Sequence, residues 1–274
     1  MDRTQRLRAM IDLDGHGLEI GPSYNPLVPK SAGFDVSIAD YTDAAGLRTK
    51  YAATPNVDIG RIEEVDHVLD MSCSLAEAVG TPGSFDYVVA SHVIEHTPDM
   101  LSFLLSCQAL LKPNGILLLA VPDKRHCFDA LQPLTSTGSV LQAHLDKRTR
   151  PTPGAVFDDY AYNVVRNGAI GWAMPDTGPL QYFATLETAM AGFHKAQETS
   201  DYLDVHVWRF VPSSFRLIMM DLATAGFLTL RERTFHDSVG NEFYITFSSD
   251  AGQCPVDRLT LGKQALAEHA TIAV

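Results

Sequence analysis

The sequence of 274 residues predicts a doubly wound α/β domain built on a mostly parallel sheet. Short apolar runs, typical of fully buried strands, alternate with helical segments between residues 17 and 121. The run at 17–20 ends in Gly21, and the next ends in Asp40, nineteen residues later. A glycine and then an acidic side chain at successive strand ends are how such a sheet receives a nucleoside.

The first half of the chain gives the alternating elements. The predicted strands cover residues 17–20, 34–40, 65–70, 85–91 and 116–121, and the predicted helices cover 1–16, 43–51, 74–79 and 98–111. Lys112-Pro-Asn-Gly115 predicts the turn into the fifth strand. This alternation implies parallel pairing with right-handed crossovers.

The pattern changes in residues 122–210, which carry prolines, aromatics and histidines with intermittent helical periodicity. We interpret this segment as an insertion after the fifth strand, with helices near 138–147 and 180–199. The 274 residues therefore fit one large α/β domain that contains an insertion.

Regular patterns return in the last part of the chain. The sequence predicts a helix over 212–225, with Ser213 as its N-cap and Gly226 as its stop. Runs at 227–235 and 242–247, separated by turn-prone residues 237–241, predict an antiparallel hairpin at the edge of the sheet. The tail from residue 256 predicts a final helix.

Composition excludes several classes of partner. The formal net charge of −12 would repel a phosphate backbone, so we expect no nucleic-acid partner. The longest apolar run, 115–121, is too short to span a membrane, and no apolar segment of a secretory signal follows the charged first residues. The cysteines are widely spaced, which favours reduced thiols in a cytoplasmic protein; they are Cys73, Cys107, Cys127 and Cys254.

Several motifs together resemble class I S-adenosylmethionine-dependent methyltransferases. They are Leu18-Glu-Ile-Gly21, Asp40, Asp70, the run Phe85-Asp-Tyr-Val-Val-Ala-Ser-His-Val-Ile-Glu-His-Thr-Pro-Asp99, and Leu111-Lys-Pro-Asn-Gly115. The resemblance covers residues 17–121 closely and the terminal hairpin loosely. It implies a seven-stranded Rossmann-like sheet that binds S-adenosylmethionine across the carboxyl ends of its first strands. In these terms, residues 1–121 are the cofactor-binding half, 122–210 an acceptor-binding lid, and 211–274 the remainder of the same domain.

The resemblance also implies a set of cofactor-binding residues. They are Glu19, Gly21, Pro22, Asp40, Tyr41, Asp70, Met71, Ser91 and His92. Asp40 would hold the ribose hydroxyls, Asp70 with Met71 would face the adenine, and Ser91 with His92 would line the methionine end.

Other interpretations of these residues stay open. Glu19 lies near the cofactor's amino group or supports the loop after the first strand. Asp70 could cap the helix that starts at Ser74, and Asp40 could form a turn before Thr42. Pro22 and Ser23 stand where more glycines are usual, which argues against a tightly cradled pyrophosphate.

The catalytic candidates lie just beyond the fifth strand and in the insertion. They are His126, His206, Arg125 and His144. A histidine base suits neutral pH, so we expect His126 or His206 to remove a proton from the acceptor. Arg125 would grip an anionic part of the acceptor as a fork. The alternative is that Lys124 and Arg125 pair with Asp123 and Asp129 at the surface, and that Trp208 belongs to the core.

The run His92-Val-Ile-Glu-His96 also matches H-x-x-E-H, in which two imidazoles four residues apart bind zinc. A zinc peptidase carries this run inside a long helix, whereas here it directly follows a strand and Pro98 ends it. The sequence therefore predicts no metal site, with His92 at the pocket floor and His96 as a packed histidine.

Two motifs, Val121-Pro-Asp-Lys-Arg-His-Cys-Phe-Asp129 and Asp204-Val-His-Val-Trp208, are similar to bacterial methyltransferases associated with sugar and polysaccharide modification. They predict a small polar acceptor, such as a hydroxyl or amine of a sugar or glycan. A small amine, thioether or carboxylate metabolite is the alternative within this class. A non-catalytic nucleoside-binding module and an NAD-dependent oxidoreductase are the alternatives outside it. A homodimer through the insertion or the hairpin is compatible with the sequence.

Overall fold

The computed structural model describes residues 1–70, 73–173 and 178–272. The strands are β1 Gly17–Ile20, β2 Val36–Asp40, β3 His67–Val68, β4 Phe85–Ser91, β5 Leu111–Pro122, β6 Val164–Arg166, β7 Leu180–Tyr182, β8 Arg231–Val239 and β9 Glu242–Ser248. The helices are α1 Arg3–Arg8, α2 Ala44–Tyr51, α3 Leu75–Val79, α4 Met100–Leu110, α5 Thr137–Leu145, α6 Pro153–Tyr162, α7 Leu186–Glu198, α8 Pro212–Thr224 and α9 Arg258–Ala270.

Seven strands form one sheet in the order β3-β2-β1-β4-β5-β9-β8. Strands β1 to β5 are parallel, whereas β9 and β8 add an antiparallel edge. The arrangement confirms the predicted fold class, a Rossmann-like sheet with a C-terminal hairpin. Ile20 lies opposite both Ala39 and Ala90, and Pro122 lies opposite Glu242. The ends of β1, β2, β4 and β5 therefore meet the start of β9 at one edge.

Burial on both faces explains why the central strands are mostly apolar. Every residue of β1 is buried, and Leu117, Leu118 and Leu119 of β5 are fully inaccessible on both faces of the sheet. Parallel strands covered by helices on both sides have this continuous apolar pattern. The central strands therefore hold the carboxyl edge in a fixed geometry.

Helices α2, α3 and α4, like α1 with its capping box at Asp2, begin at side-chain caps. Asp43 accepts the Gly46 N–H at the start of α2, as predicted, and Asp99 accepts the Ser102 N–H at the start of α4. Ser74 forms a capping box with Glu77 at the start of α3. Because Ser74 caps α3, the cap role left open for Asp70 is wrong.

Several predicted boundaries in the first half are wrong. The lead-in helix predicted over 1–16 covers only Arg3–Arg8, and the third strand is only His67–Val68. The residues predicted as a turn at 112–115 instead belong to β5. The apolar pattern located these elements, but backbone pairing decides where each one ends.

The C-terminal part differs from its prediction at the start of α8 and at the hairpin turn. Val211, not Ser213, is the N-cap of α8, because Pro212 takes the first helical position. Ser213 instead donates from its hydroxyl to Glu268 Oε1 at 2.5 Å. The hairpin turns at Gly240, whose φ is +68°, because the residues up to Val239 stay paired within β8.

The insertion contains more structure than predicted. The helix predicted over 180–199 begins at Leu186, because Leu180–Tyr182 pairs with Val164–Arg166 as a small separate hairpin. Helix α6 was not predicted. The insertion ends in a segment that returns to the carboxyl edge, where the Val207 and Trp208 N–H groups both donate to the Glu95 carbonyl. The predicted domain boundaries and the lid role stay predictions.

None of the helices in the described ranges combines the length and apolar character needed to cross a membrane.

Candidate active site

The turn after β1 requires glycine. Gly21 has a φ of +64°, a conformation that side chains with a Cβ rarely adopt. A Cβ at this position would also lie 2.9 Å from Val93 Cγ2. Without a side chain at Gly21, the backbone at the end of β1 stays open, as expected of the glycine where the sheet receives a nucleoside. We call this open backbone the cofactor cradle.

Asp40 is a buried carboxylate at the end of β2. Its oxygens accept the backbone N–H groups of Ser23 and Tyr41 at 3.1 and 2.8 Å. Burial raises the pKa of Asp40, although both hydrogen bonds oppose this shift. A carboxylate can accept about four hydrogen bonds, so Asp40 keeps acceptor capacity for two ribose hydroxyls.

Glu19 supports the loop after β1, which is one of the two roles left open for it. Its carboxylate accepts the N–H groups of Leu27 and Val28 at 2.6 and 2.9 Å. Burial raises the pKa of Glu19 to about 7, although both hydrogen bonds oppose this shift.

Two other residues predicted to bind the cofactor, Pro22 and Tyr41, lie just after β1 and β2. The Pro22 carbonyl accepts the Asn25 N–H, and the Tyr41 ring is half exposed.

A groove between the β3 end and helix α4 lies where the adenine is predicted. Its lining includes Asp70, Thr97, Phe103 and His144. Met71, the other residue predicted to face the adenine, lies outside the described residues. Asp70 lines this groove, whereas Gly21 and Asp40 do not.

His144 belongs to this groove. Its Nδ1 lies 3.0 Å from Asp99 Oδ2 and 3.2 Å from the Ser102 hydroxyl. In the described structure its side-chain contacts are therefore with the α4 N-terminus, on the adenine side. Its predicted role as a catalytic residue stays a prediction.

The end of β4 is joined to the start of β9 by an ion-pair network. His92 Nε2 lies 2.9 Å from Glu242 Oε2, and Arg3 donates to both Glu242 oxygens at 2.5 and 2.8 Å. Arg3 also donates to the Ser91 hydroxyl at 2.6 Å. Sequence reasoning missed Arg3 and Glu242. The pairing of β9 with β5 brings Glu242 beside Ser91 and His92, and Arg3 reaches the same place from helix α1.

We expect Glu242→Gln to reduce the acid sensitivity of folding. Burial alone would raise the pKa of Glu242, but hydrogen bonds from His92 and Arg3 lower it to about 2. Since the folded pKa is depressed, the stabilisation is present above the ordinary value of 4.5 and is lost as pH falls toward 2. The full effect is on the order of 3 kcal/mol.

Urea unfolding at a series of pH values measures this prediction. The stability advantage of the wild type over Glu242→Gln should shrink steadily as pH falls below 4.5. The matched control is Glu64→Gln, since Glu64 is 79% exposed in its ion pair with Arg48 and such pairs contribute little. An advantage that does not change with pH would contradict the ion-pair network.

Three histidines, of which only His206 is buried, surround Glu95, which lies in the 3-10 turn Ile94–His96 directly after β4. Glu95 is 0% exposed, and within the described chain neither of its carboxylate oxygens has a hydrogen-bond partner. Its Oε1 lies 3.6 Å from His92 Nδ1, 3.9 Å from His96 Nε2 and 3.9 Å from His206 Nε2. The carboxylate therefore has three imidazole nitrogens around it, all beyond hydrogen-bond distance.

Two aspartates lie beside the imidazoles of this cluster. His206 Nδ1 lies 2.5 Å from the buried Asp129 Oδ2, and His96 Nδ1 lies 2.8 Å from Asp204 Oδ1. Asp129 also accepts a hydrogen bond from Arg209. Burial alone would raise the pKa of Asp129, but His206 and Arg209 lower it. A hydrogen bond thus holds the His206 ring at Nδ1, a close carboxylate without hydrogen-bond alignment faces His96 Nδ1, and both Nε2 atoms lie 3.9 Å from Glu95 Oε1.

The other residues after β5 are paired differently from the main prediction. Arg125 donates to both oxygens of Asp123 at 2.5 to 3.0 Å, which is the alternative pairing, but the pair is largely buried. Lys124 is buried and donates to the Ala130 carbonyl rather than to Asp129. The predicted role of Arg125 on an anionic acceptor would require it to leave Asp123.

His126 is buried, and in the described structure its Nδ1 has no hydrogen-bond partner. Burial lowers its pKa. Asp129 and Phe128, rather than Arg125 or His126, are residues of this run that contact His206. Trp208 is buried and donates to the Thr97 carbonyl at 2.6 Å, as the core interpretation predicts.

Comparisons with known proteins agree with these features. A family model described as "Methyltransferase domain" matches residues 1–178. The ubiquinone biosynthesis O-methyltransferase of Parvibaculum lavamentivorans is 36% identical over 90 residues, which cover 31% of this chain and 36% of that protein. The protein of the same name from Rhodopseudomonas palustris is 44% identical over 56 residues, or 20% of this chain and 22% of the relative. The matches thus span about a fifth to a third of these relatives.

Solved structures of low sequence identity include two S-adenosylmethionine-dependent methyltransferases. The protein from Mesorhizobium loti is 12% identical, with 89% of this chain and 95% of that chain covered and a TM-score of 0.45. The protein from Aquifex aeolicus is 12% identical, with 89% and 88% covered and a TM-score of 0.44.

Proposed function

The chain belongs to the methyltransferase-domain family, and from this premise we propose that it methylates a hydroxyl oxygen of a small polar acceptor. The cofactor of this S-adenosylmethionine-dependent class supplies an activated methyl group whose leaving group is a neutral thioether. The chain itself must align the acceptor oxygen and remove its proton. Residues at the carboxyl edge of β4 are suited to both tasks.

The cluster of Glu95, His96 and His206 is the observation that carries the proposal. A hydroxyl must lose its proton as it becomes a methyl ether, whereas a thioether or a carboxylate needs no proton removal. Two imidazoles beside a buried carboxylate are suited to handling that proton. The cluster therefore favours a hydroxyl over the thioether and carboxylate alternatives.

The cluster is also connected to the cofactor cradle. Val93, which borders Gly21, lies two residues before Glu95 in the same turn after β4. The end of the insertion covers this turn, because Tyr202 donates to the His96 carbonyl and Trp208 donates to the Thr97 carbonyl. The insertion thus supplies His206 and shields the cluster from water, which supports a role in acceptor binding.

The named relatives support oxygen as the methylated atom, since they are O-methyltransferases. A sugar hydroxyl, which the sequence motifs favour, and a phenolic hydroxyl are both compatible with this chemistry. The family match favours transfer over the oxidoreductase and the non-catalytic alternatives.

An acceptor panel tests the proposal. Purified protein would be incubated with S-adenosylmethionine and a metal mixture, and separately with catechols, free sugars, nucleotide sugars, primary amines and thioethers. We expect S-adenosylhomocysteine and a mass gain of one CH₂ with at least one hydroxyl acceptor. Fragmentation should place the new methyl group on oxygen. Transfer only to amines or thioethers would contradict the proposal.

A further inference from the structure

We propose that Glu95, His96 and His206 form a binding site for one divalent transition-metal ion. The three ligand atoms, one from each residue, all lie within 4.8 Å of one another. Glu95 and His206 are buried, and His96 is partly exposed. A metal at the centre would give the Glu95 carboxylate the partner that it lacks in the described structure.

The spacing of the donor atoms suits a metal better than direct contact. Glu95 Oε1 lies 3.9 Å from Nε2 of both His96 and His206, too far for a hydrogen bond. Zinc binds imidazole nitrogen and carboxylate oxygen at about 2.0–2.2 Å, so ligand atoms around it lie roughly 3.4 Å apart. The two distances to Glu95 would close by about half an ångström, and the separation of the two histidine nitrogens, at most 4.8 Å, by up to about 1.4 Å.

The outer contact of His206 is the one expected of metal-binding histidines. Such histidines donate their second ring N–H to a carboxylate, which fixes the tautomer and directs the other nitrogen to the metal. Asp129 does this for His206 at 2.5 Å. Arg209 in turn holds Asp129. The Asp204 carboxylate lies 2.8 Å from His96 Nδ1 as an ion-pair partner, but without the alignment of a hydrogen bond.

The donor set indicates which metals bind. Two imidazoles and one carboxylate suit zinc, iron, cobalt or manganese, whereas magnesium and calcium prefer oxygen ligands. The set also differs from the H-x-x-E-H pattern, because Glu95 is a ligand here and His206 comes from the insertion. His92 contacts Glu242 through Nε2, and its Nδ1 lies 3.6 Å from Glu95 Oε1 on the edge of the cluster.

Three protein ligands leave a coordination position open, as in catalytic metal sites. On the proposed function, this position would take the acceptor's hydroxyl oxygen, and metal binding would acidify that hydroxyl. Because metal binding would occupy Nε2 of both imidazoles, the cluster would act through the metal, and the proton of the acidified hydroxyl would pass to solvent water rather than to His206. This catalytic use rests on the proposed function, whereas metal binding itself does not.

Metal titration of the full-length protein tests the site without cofactor or acceptor. The protein would be stripped with EDTA, dialysed and titrated calorimetrically with Zn²⁺, Mn²⁺ and Mg²⁺. We expect one Zn²⁺ per chain, with a dissociation constant of about 1 µM or tighter, and much weaker Mg²⁺ binding. Titration with Co²⁺ should give the visible absorption bands of a low-symmetry cobalt site, a signal that does not depend on activity.

Matched variants locate the site. His96→Ala and His206→Ala should each weaken Zn²⁺ binding by more than about 100-fold, and Asp129→Asn by about 10- to 100-fold. His194→Ala is the control, because His194 is exposed on α7 and contacts Gln197. It should bind Zn²⁺ like the wild type. Thermal unfolding of each variant identifies any that fail to fold, and Asp129→Asn, which keeps the side-chain shape, keeps the test informative in that case.

Two results would overturn the metal site. One is the absence of stoichiometric binding of Zn²⁺, Mn²⁺ and Co²⁺ to folded protein, and the other is Zn²⁺ binding that none of the three variants weakens. The acceptor panel tests the proposed function independently of the metal site. Stoichiometric zinc without methyl transfer would refute the proposed function alone, and transfer unaffected by EDTA would refute the metal's catalytic use alone.

Discussion

His206→Ala is expected to lower kcat for methyl transfer by about 10²- to 10⁴-fold while leaving the affinity for S-adenosylmethionine unchanged. The imidazole is 6% exposed and directed toward Glu95 by its contact with Asp129. On the proposed function it acts on the acceptor side, whereas the residues predicted to bind the ribose and the methionine loop lie at the ends of β1 and β2. The substitution should therefore change turnover without changing cofactor binding.

Single-turnover kinetics and cofactor titration measure the two quantities on the same preparation. Asp129→Asn should show a smaller loss of kcat, because it leaves the imidazole in place but loosens its orientation. His194→Ala serves as the control for removal of a histidine. If His206→Ala kept wild-type kcat, the cluster would have no part in the reaction.

We expect Asp40→Ala to weaken S-adenosylmethionine binding by about 100-fold or more. Hydrogen bonds to a charged group are worth about 1.5–3 kcal/mol each, and the carboxylate would accept two from the ribose. The same change also leaves the N–H groups of Ser23 and Tyr41 without their acceptor, so the loop itself should loosen. Calorimetric titration measures the affinity.

Asp43→Ala is the control that separates loss of the contact with the cofactor from loss of protein stability. Asp43 is exposed and caps α2, and removing a cap costs about 1 kcal/mol of stability. We expect its cofactor affinity to equal that of the wild type. Unchanged affinity in Asp40→Ala would remove the central residue of the cofactor site from the account.

The cofactor half could be predicted from the sequence because its signals are local. A buried strand needs a continuous apolar run, and the residue at its end has a known place on the edge of a parallel sheet. Gly21 and Asp40 follow from this argument, Ser91 follows from the family resemblance, and the structure places each of them at that edge. The cap at Asp43 is equally local.

The acceptor side could not be predicted in the same way, because distant segments meet there. Glu95 belongs to the turn after β4, Asp129 follows β5, and His206 ends the insertion. Sequence reasoning singled out Asp129 and His206 separately but had no means of pairing them. It also could not decide whether Arg125 pairs with an anionic acceptor or with Asp123, since either partner would neutralise the guanidinium charge.

Parallel calorimetric titration with S-adenosylmethionine, S-adenosylhomocysteine and NAD tests the central claim most directly. The account predicts one site per chain for each of the two sulfur nucleosides and no binding of NAD, because Gly21 and Asp40 form the nucleoside site without a glycine-rich pyrophosphate loop. Binding of NAD alone, or of none of the three, would contradict the assignment of the carboxyl edge as a methyl-donor site.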